Sequence, residues 1–141
     1  MVPMLINIKS HAYRDDETDE PINLLTYGQL TQEGSRTVLE YDEVMDETMP
    51  AQHVMLTLEN GSLTMIREGG YSTQMIFTQD CRYEGQYHTP FGAMDLALFC
   101  NRLKYDLTEA GGTIDLRYQL DINGQFAAVH ELNLTAFPHN G

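Results

Sequence analysis

Five side chains in this sequence could form a polar site within apolar surroundings: Tyr41, Glu43, Arg67, Tyr118 and His130. Arg67 shares its parity with Leu63 and Met65, and Glu43 shares its parity with Leu39 and Tyr41. In extended chains, both charges therefore point to the face that the apolar residues bury. Removing a lone guanidinium from water costs several kcal/mol, so an interior Arg67 needs an anionic partner. Glu43 is the natural one, with the hydroxyl of Tyr41 or Tyr118 completing a network that could receive the polar head of a small ligand. The more ordinary arrangement places Arg67 at a strand end, with its head in solvent at a rim and its stem covering apolar surface.

His130 stands among Ala128, Leu132 and Leu134, and Cys100 follows Leu96 and Leu98. A thiol beside an imidazole can act as a nucleophile and base. No third group, nucleophile elbow or oxyanion motif accompanies these two, so they read as a satisfied core histidine and an inert buried thiol. The stretch Tyr87-His88-Thr89-Pro90-Phe91-Gly92 collects hydrogen-bonding groups around a proline and a glycine. It reads as a turn rather than a binding loop: Pro90 fixes φ, Gly92 permits a tight bend, and Tyr87 and Phe91 plug a barrel end. Cys81 and Cys100 lack metal-ligand spacing, and the acidic run 14–21 lacks the alternating ligands and glycine of a calcium loop. No metal or cofactor is implied.

The elements that must position these side chains are strands. In 93–107, Met94, Leu96, Leu98 and Cys100 alternate with Asp95, Ala97 and Phe99, and then Leu103, Tyr105 and Leu107 continue on the opposite parity. A one-residue phase change inside a strand predicts a bulge or sharp bend near Asn101-Arg102. Further strands are expected at 5–13, 22–32, 37–43, 54–59, 63–68, 73–78, 81–87, 113–121 and 125–137. Asn60-Gly61 between two of them is a strong hairpin signal, because both central residues of a type I′ turn need positive φ. Glu33-Gly34-Ser35-Arg36, Gly69-Gly70, Gly111-Gly112 and Asp121-Ile122-Asn123-Gly124 mark other turns. Gly28, inside a strand, predicts a bend or the close approach of another backbone. The acidic stretch 14–21 reads as a solvated loop, 44–52 as a longer connection, and 1–3 and 138–141 as frayed ends.

Short strands in serial order, without a 3.6-residue period, predict an all-β fold: a single antiparallel meander β-barrel of about 8–10 strands spanning 1–141. At 141 residues the chain makes one domain with a sizeable core. Eight basic against twenty-one acidic residues give a net charge of -13. Such a charge repels phosphate backbones and anionic headgroups, which argues against nucleic-acid and membrane-surface partners. No signal-like N-terminus or bilayer-length apolar run is visible, so a cytoplasmic location with two free thiols is expected, and the two glycosylation-like triplets at Asn60 and Asn133 are coincidental.

At Val38-Leu39-Glu40-Tyr41-Asp42-Glu43, Met65-Ile66-Arg67-Glu68-Gly69, Tyr87 to Leu96, and Gly111-Gly112-Thr113-Ile114-Asp115-Leu116-Arg117-Tyr118, the chain resembles the YwiB-like family of small bacterial proteins. The resemblance implies a calycin-type barrel similar in shape to lipocalins and a bacterial cytoplasmic setting; it implies no activity, cofactor or catalytic residue. Among functions, binding of a small apolar or amphipathic ligand inside the barrel ranks first. An interaction or scaffold module comes second, its acidic surface meeting a basic protein or its own copy in a homodimer. An enzyme ranks last, since no motif argues for one.

Overall fold

A computed structural model describes residues 1–14, 17–18, 21–43, 51–69 and 72–139. Its strands are β1 (Val2–Arg14), β2 (Glu17–Thr18), β3 (Ile22–Glu33), β4 (Arg36–Glu43), β5 (Gln52–Glu59), β6 (Ser62–Glu68), β7 (Ser72–Thr78), β8 (Arg82–Thr89), β9 (Gly92–Thr108), β10 (Gly111–Ile122) and β11 (Gln125–Pro138). From β3 to β11 each strand pairs antiparallel with the next, and β1 pairs with both β3 and β11. The result is a closed ten-strand meander barrel, with β2 a two-residue appendage on the end of β1. Closure removes the free edges that a ten-strand open sheet would expose.

The phase change in β9 is a bulge. Arg117 of β10 pairs with Arg102 and the next residue, Tyr118, pairs with Cys100, so Asn101 is the extra residue. Leu96, Leu98 and Cys100 are buried before it and Leu103 and Leu107 after it, so both phases point into the barrel. Asn60 (φ 53°) and Gly61 (φ 78°) form the expected hairpin, as do Asn123 (φ 51°) and Gly124 (φ 79°).

Gly28 faces inward opposite Tyr41. A Cβ there would lie 2.3 Å from the Glu40 carbonyl oxygen and 2.7 Å from Ile6 Cδ1. Only a residue without a side chain lets the chains come this close.

Four expectations need correction. The chain ends do not fray at 2–3 and 138: Val2 and Pro3 pair with Leu30 and Gln29, Pro138 pairs with Met4, and the His139 amide donates to the Pro3 carbonyl at 2.9 Å. The barrel closes through these residues, so fraying would leave backbone groups of β1 and β3 unpaired. Glu17–Thr18, expected within a loop, form β2 against Tyr13 and Arg14. The turn expected at Gly111-Gly112 falls on Glu109 and Ala110, and the two glycines begin β10. Phe91 plugs nothing: it is 95% exposed at the tip of a turn closed by Thr89, whose hydroxyl donates to the Gly92 carbonyl and accepts from the Phe91 amide. Residues 15–16 and 19–20 of the acidic loop, 44–50 of the expected 44–52 connection, Gly70 of the Gly69-Gly70 turn, and 140–141 of the C-terminal tail lie outside the described residues, and Gln52 already belongs to β5.

The two halves of the barrel differ inside. Leu58, Leu63, Phe77, Leu116 and Leu134 fill one half, each at most 2% exposed. Toward the other end the inward residues become polar. Here the ladder is also thinnest, because among the described residues β7 and β8 are joined only through Ser72 to His88 and Thr73 to Tyr87.

Candidate functional site

One inward row of the barrel can be followed strand by strand through the pairing register. Gly28, Tyr41, Val54, Arg67, Thr73, Tyr87 and Met94 are successive cross-strand partners from β3 to β9. Strand alternation sends each of these side chains inward, and the missing side chain at Gly28 leaves its place to Ile6. On the far wall Tyr118 of β10 pairs with His130 of β11. Between the walls lies a cavity of about 560 Å³. Tyr41, Glu43, Arg67, Tyr118 and His130, the five residues singled out from the sequence, all line it, and so does Tyr87.

Arg67, the penultimate residue of β6, lines the cavity near the polar end of the barrel. Its Nη2 lies 3.6 Å from Glu43 Oε2, and the two side chains are 25% and 11% exposed. At 3.6 Å this is an ion pair but not a hydrogen bond. Burial works against the Arg67 charge, yet Glu43, followed by Tyr41 and Tyr118, outweighs it and holds the guanidinium pKa above its ordinary value. The Tyr41 phenol is pushed well up, chiefly by burial; Arg67 opposes the shift and Glu43 adds to it. Burial likewise raises Tyr118, against the pull of Arg67. Among the described residues, the Arg67 cation thus faces the Glu43 carboxylate, and the Tyr41 and Tyr118 phenols beside them keep their protons.

Two buried polar atoms of this wall have no hydrogen-bond partner among the described residues: Arg67 Nε and Thr73 Oγ1. Buried polar groups are nearly always satisfied in native proteins, so two neighbouring exceptions at one cavity point to a partner beyond the described residues. Arg67 and Thr73 also line an outer groove along the thin β7–β8 seam, so this corner is approached from both sides of the wall. Sequence reasoning passed over Thr73, although it shares its parity with Met75 and Phe77; a small hydroxyl on an apolar face was the available signal.

The imidazole of His130 stacks on Tyr118, with centroids 5.1 Å apart and planes 15° from parallel, and Phe77 packs against Tyr118 at 4.7 Å. Cys100 and His130 are not juxtaposed: both pair with Tyr118, from opposite sides, which puts two strand spacings, or about 10 Å, between them. Burial raises the Cys100 thiol, the reverse of what a nucleophile needs. Glu131, at the edge of the cavity, pairs with Arg117 and accepts from the Tyr13 hydroxyl at 3.3 Å. Among the described residues no cluster of three His, Cys, Asp or Glu could hold a metal ion, and no helix is long and apolar enough to cross a membrane.

The fold has a counterpart of known structure. The crystal structure of ywiB protein from Bacillus subtilis matches with a TM-score of 0.87, covering 99% of this chain and 93% of that one at 21% identity, a likeness of fold alone. In sequence, the Uncharacterized beta-barrel protein YwiB of Bacillus subtilis (strain 168) is 22% identical over 133 residues, covering 94% of this chain and 92% of the relative. Residues 6–134 match the family model described as Domain of unknown function (DUF1934), and the chain belongs to that family.

Proposed function

We propose that the barrel binds a small apolar or amphipathic ligand without transforming it, the chain portion lying against the aliphatic wall and the polar head at Arg67, Glu43 and Thr73. The observation carrying this reading is the coincidence of a ligand-sized space with two buried polar atoms on its wall that have no partner among the described residues. Ligand pockets occupy roughly 300–1,000 Å³, mostly apolar with a few convergent polar groups. Leu24, Leu96, Leu120 and Ile122 supply the apolar part. Native mass spectrometry of the protein as purified tests the reading, with a co-purified small mass as the expected result. An Arg67→Ala variant that keeps both its stability and its ligand profile would exclude a role for the guanidinium.

A second reading, self-association, is favoured by one outer face. Across β3, β1 and β11, Tyr27, Leu5 and Phe137 are register partners, flanked by Leu25, Asn7 and Thr135. Leu25, Tyr27 and Phe137 are 68%, 64% and 55% exposed. Lys9 is the one charge on the outward positions from Pro3 to Lys9 and their partners, so a copy also carrying -13 meets least repulsion here. Sedimentation of the wild type against Leu25→Glu tests it; identical, purely monomeric behaviour of both would dismiss it.

A further inference from the structure

Among the described residues the charges around the cavity cancel. Arg67 faces Glu43, and Glu131 is matched by Arg117. The Tyr41 and Tyr118 phenols, raised by burial, add no negative charge. Yet Arg67 Nε still has a donor to give, and Thr73 Oγ1 can both donate and accept. Among the described residues, what these two atoms lack is an oxygen, and not a charge.

We propose, resting on the ligand-binding reading above, that the head group bound between Arg67 and Thr73 is an uncharged oxygen function, such as the hydroxyl or carbonyl of an aliphatic alcohol, amide or ester. A carboxylate would satisfy the same donors, but it would stand beside Glu43 and leave one negative charge uncompensated in a partly buried space. It would gain Arg67 only by taking it from Glu43. An ammonium group would meet Arg67 with the same sign and could pair only with a carboxylate already engaged. A neutral oxygen accepts from Arg67 Nε and exchanges a hydrogen bond with Thr73 while the ion pair stays in place. The loose 3.6 Å contact between Arg67 and Glu43 leaves the guanidinium room to turn its Nε toward that oxygen.

The test is isothermal titration calorimetry with decanol, decanoate and decylamine, at a pH near 8 so that an ordinary imidazole is neutral and at moderate salt to screen the surface charge. Decanol is expected to bind wild-type protein about tenfold tighter or better than either charged analogue, the scale of one uncompensated, partly screened charge. Glu43→Gln leaves a surplus positive charge and should shift the decanoate-to-decanol affinity ratio about tenfold toward decanoate. Arg67→Gln should shift the decylamine-to-decanol ratio comparably toward decylamine. Decanoate binding wild type as tightly as decanol overturns the inference and leaves the carrier reading standing, as do ratios that neither substitution moves. No binding of any of the three overturns both. The wild-type ranking decides even where a variant fails to fold.

Discussion

Cutting the Arg67–Glu43 pair from either side should have unequal costs. Removing one partner of a fully buried pair costs about 3–5 kcal/mol, because the other charge is stranded. Here the contact is 3.6 Å, the side chains are 25% and 11% exposed, and both border a cavity, so screening reduces the expected cost to about 1–2 kcal/mol. Glu43→Leu should cost more than Arg67→Leu: a stranded carboxyl group can take up a proton and become neutral, whereas a guanidinium cannot lose one. The double variant removes both charges together, so it should be less destabilised than the sum of the single changes by about 1 kcal/mol. Urea unfolding followed by circular dichroism measures all three, with midpoints compared at constant slope. Single effects that add to within about 0.3 kcal/mol would show that the two groups do not sense each other, and the account of the cavity as a charge-balanced space would fall.

Three further outcomes follow from particular contacts. Gly28→Ala should lower stability by about 1–3 kcal/mol in thermal or urea unfolding, because the added carbon meets the Glu40 carbonyl at 2.3 Å and only Ile6 can yield; unchanged stability would contradict the close approach of β3 and β4. An aromatic disulfide reagent should label exposed Cys81 in the native protein and reach buried Cys100, whose thiol burial raises, only on unfolding; two fast thiols before unfolding would refute its burial. Tyr41 and Tyr118 have folded-state pKa values above the ordinary 10.0, so the unfolded chain gives up these protons first, and stability that is complete below about pH 10 should decline as pH rises beyond it. Tyr118→Phe should flatten that decline in melting curves, and an unaltered slope would remove the burial account.

What could be read from the sequence, and what could not, follows from how far each signal reaches. Parity along a strand is local, so Leu96, Leu98 and Cys100 before Asn101, and Leu103 and Leu107 after it, revealed both the strand and its bulge without any knowledge of partners. The same parity turned Glu43 and Arg67 inward. Whether they meet, however, depends on the register of β4, β5 and β6, which local alternation does not fix, so interior and rim stayed open alternatives. Phe91 fell outside that logic: an aromatic in a turn has no alternation to state its direction, and Thr89 closes the turn with the ring outside. Thr73 escaped for a different reason. Threonine on a strand is ordinary by propensity, and its unpartnered hydroxyl exists only because register brings it opposite Arg67 at the corner where the β7–β8 ladder is thinnest. A site made of residues from six strands is a property of barrel closure, which each strand alone records only as the direction in which one side chain points.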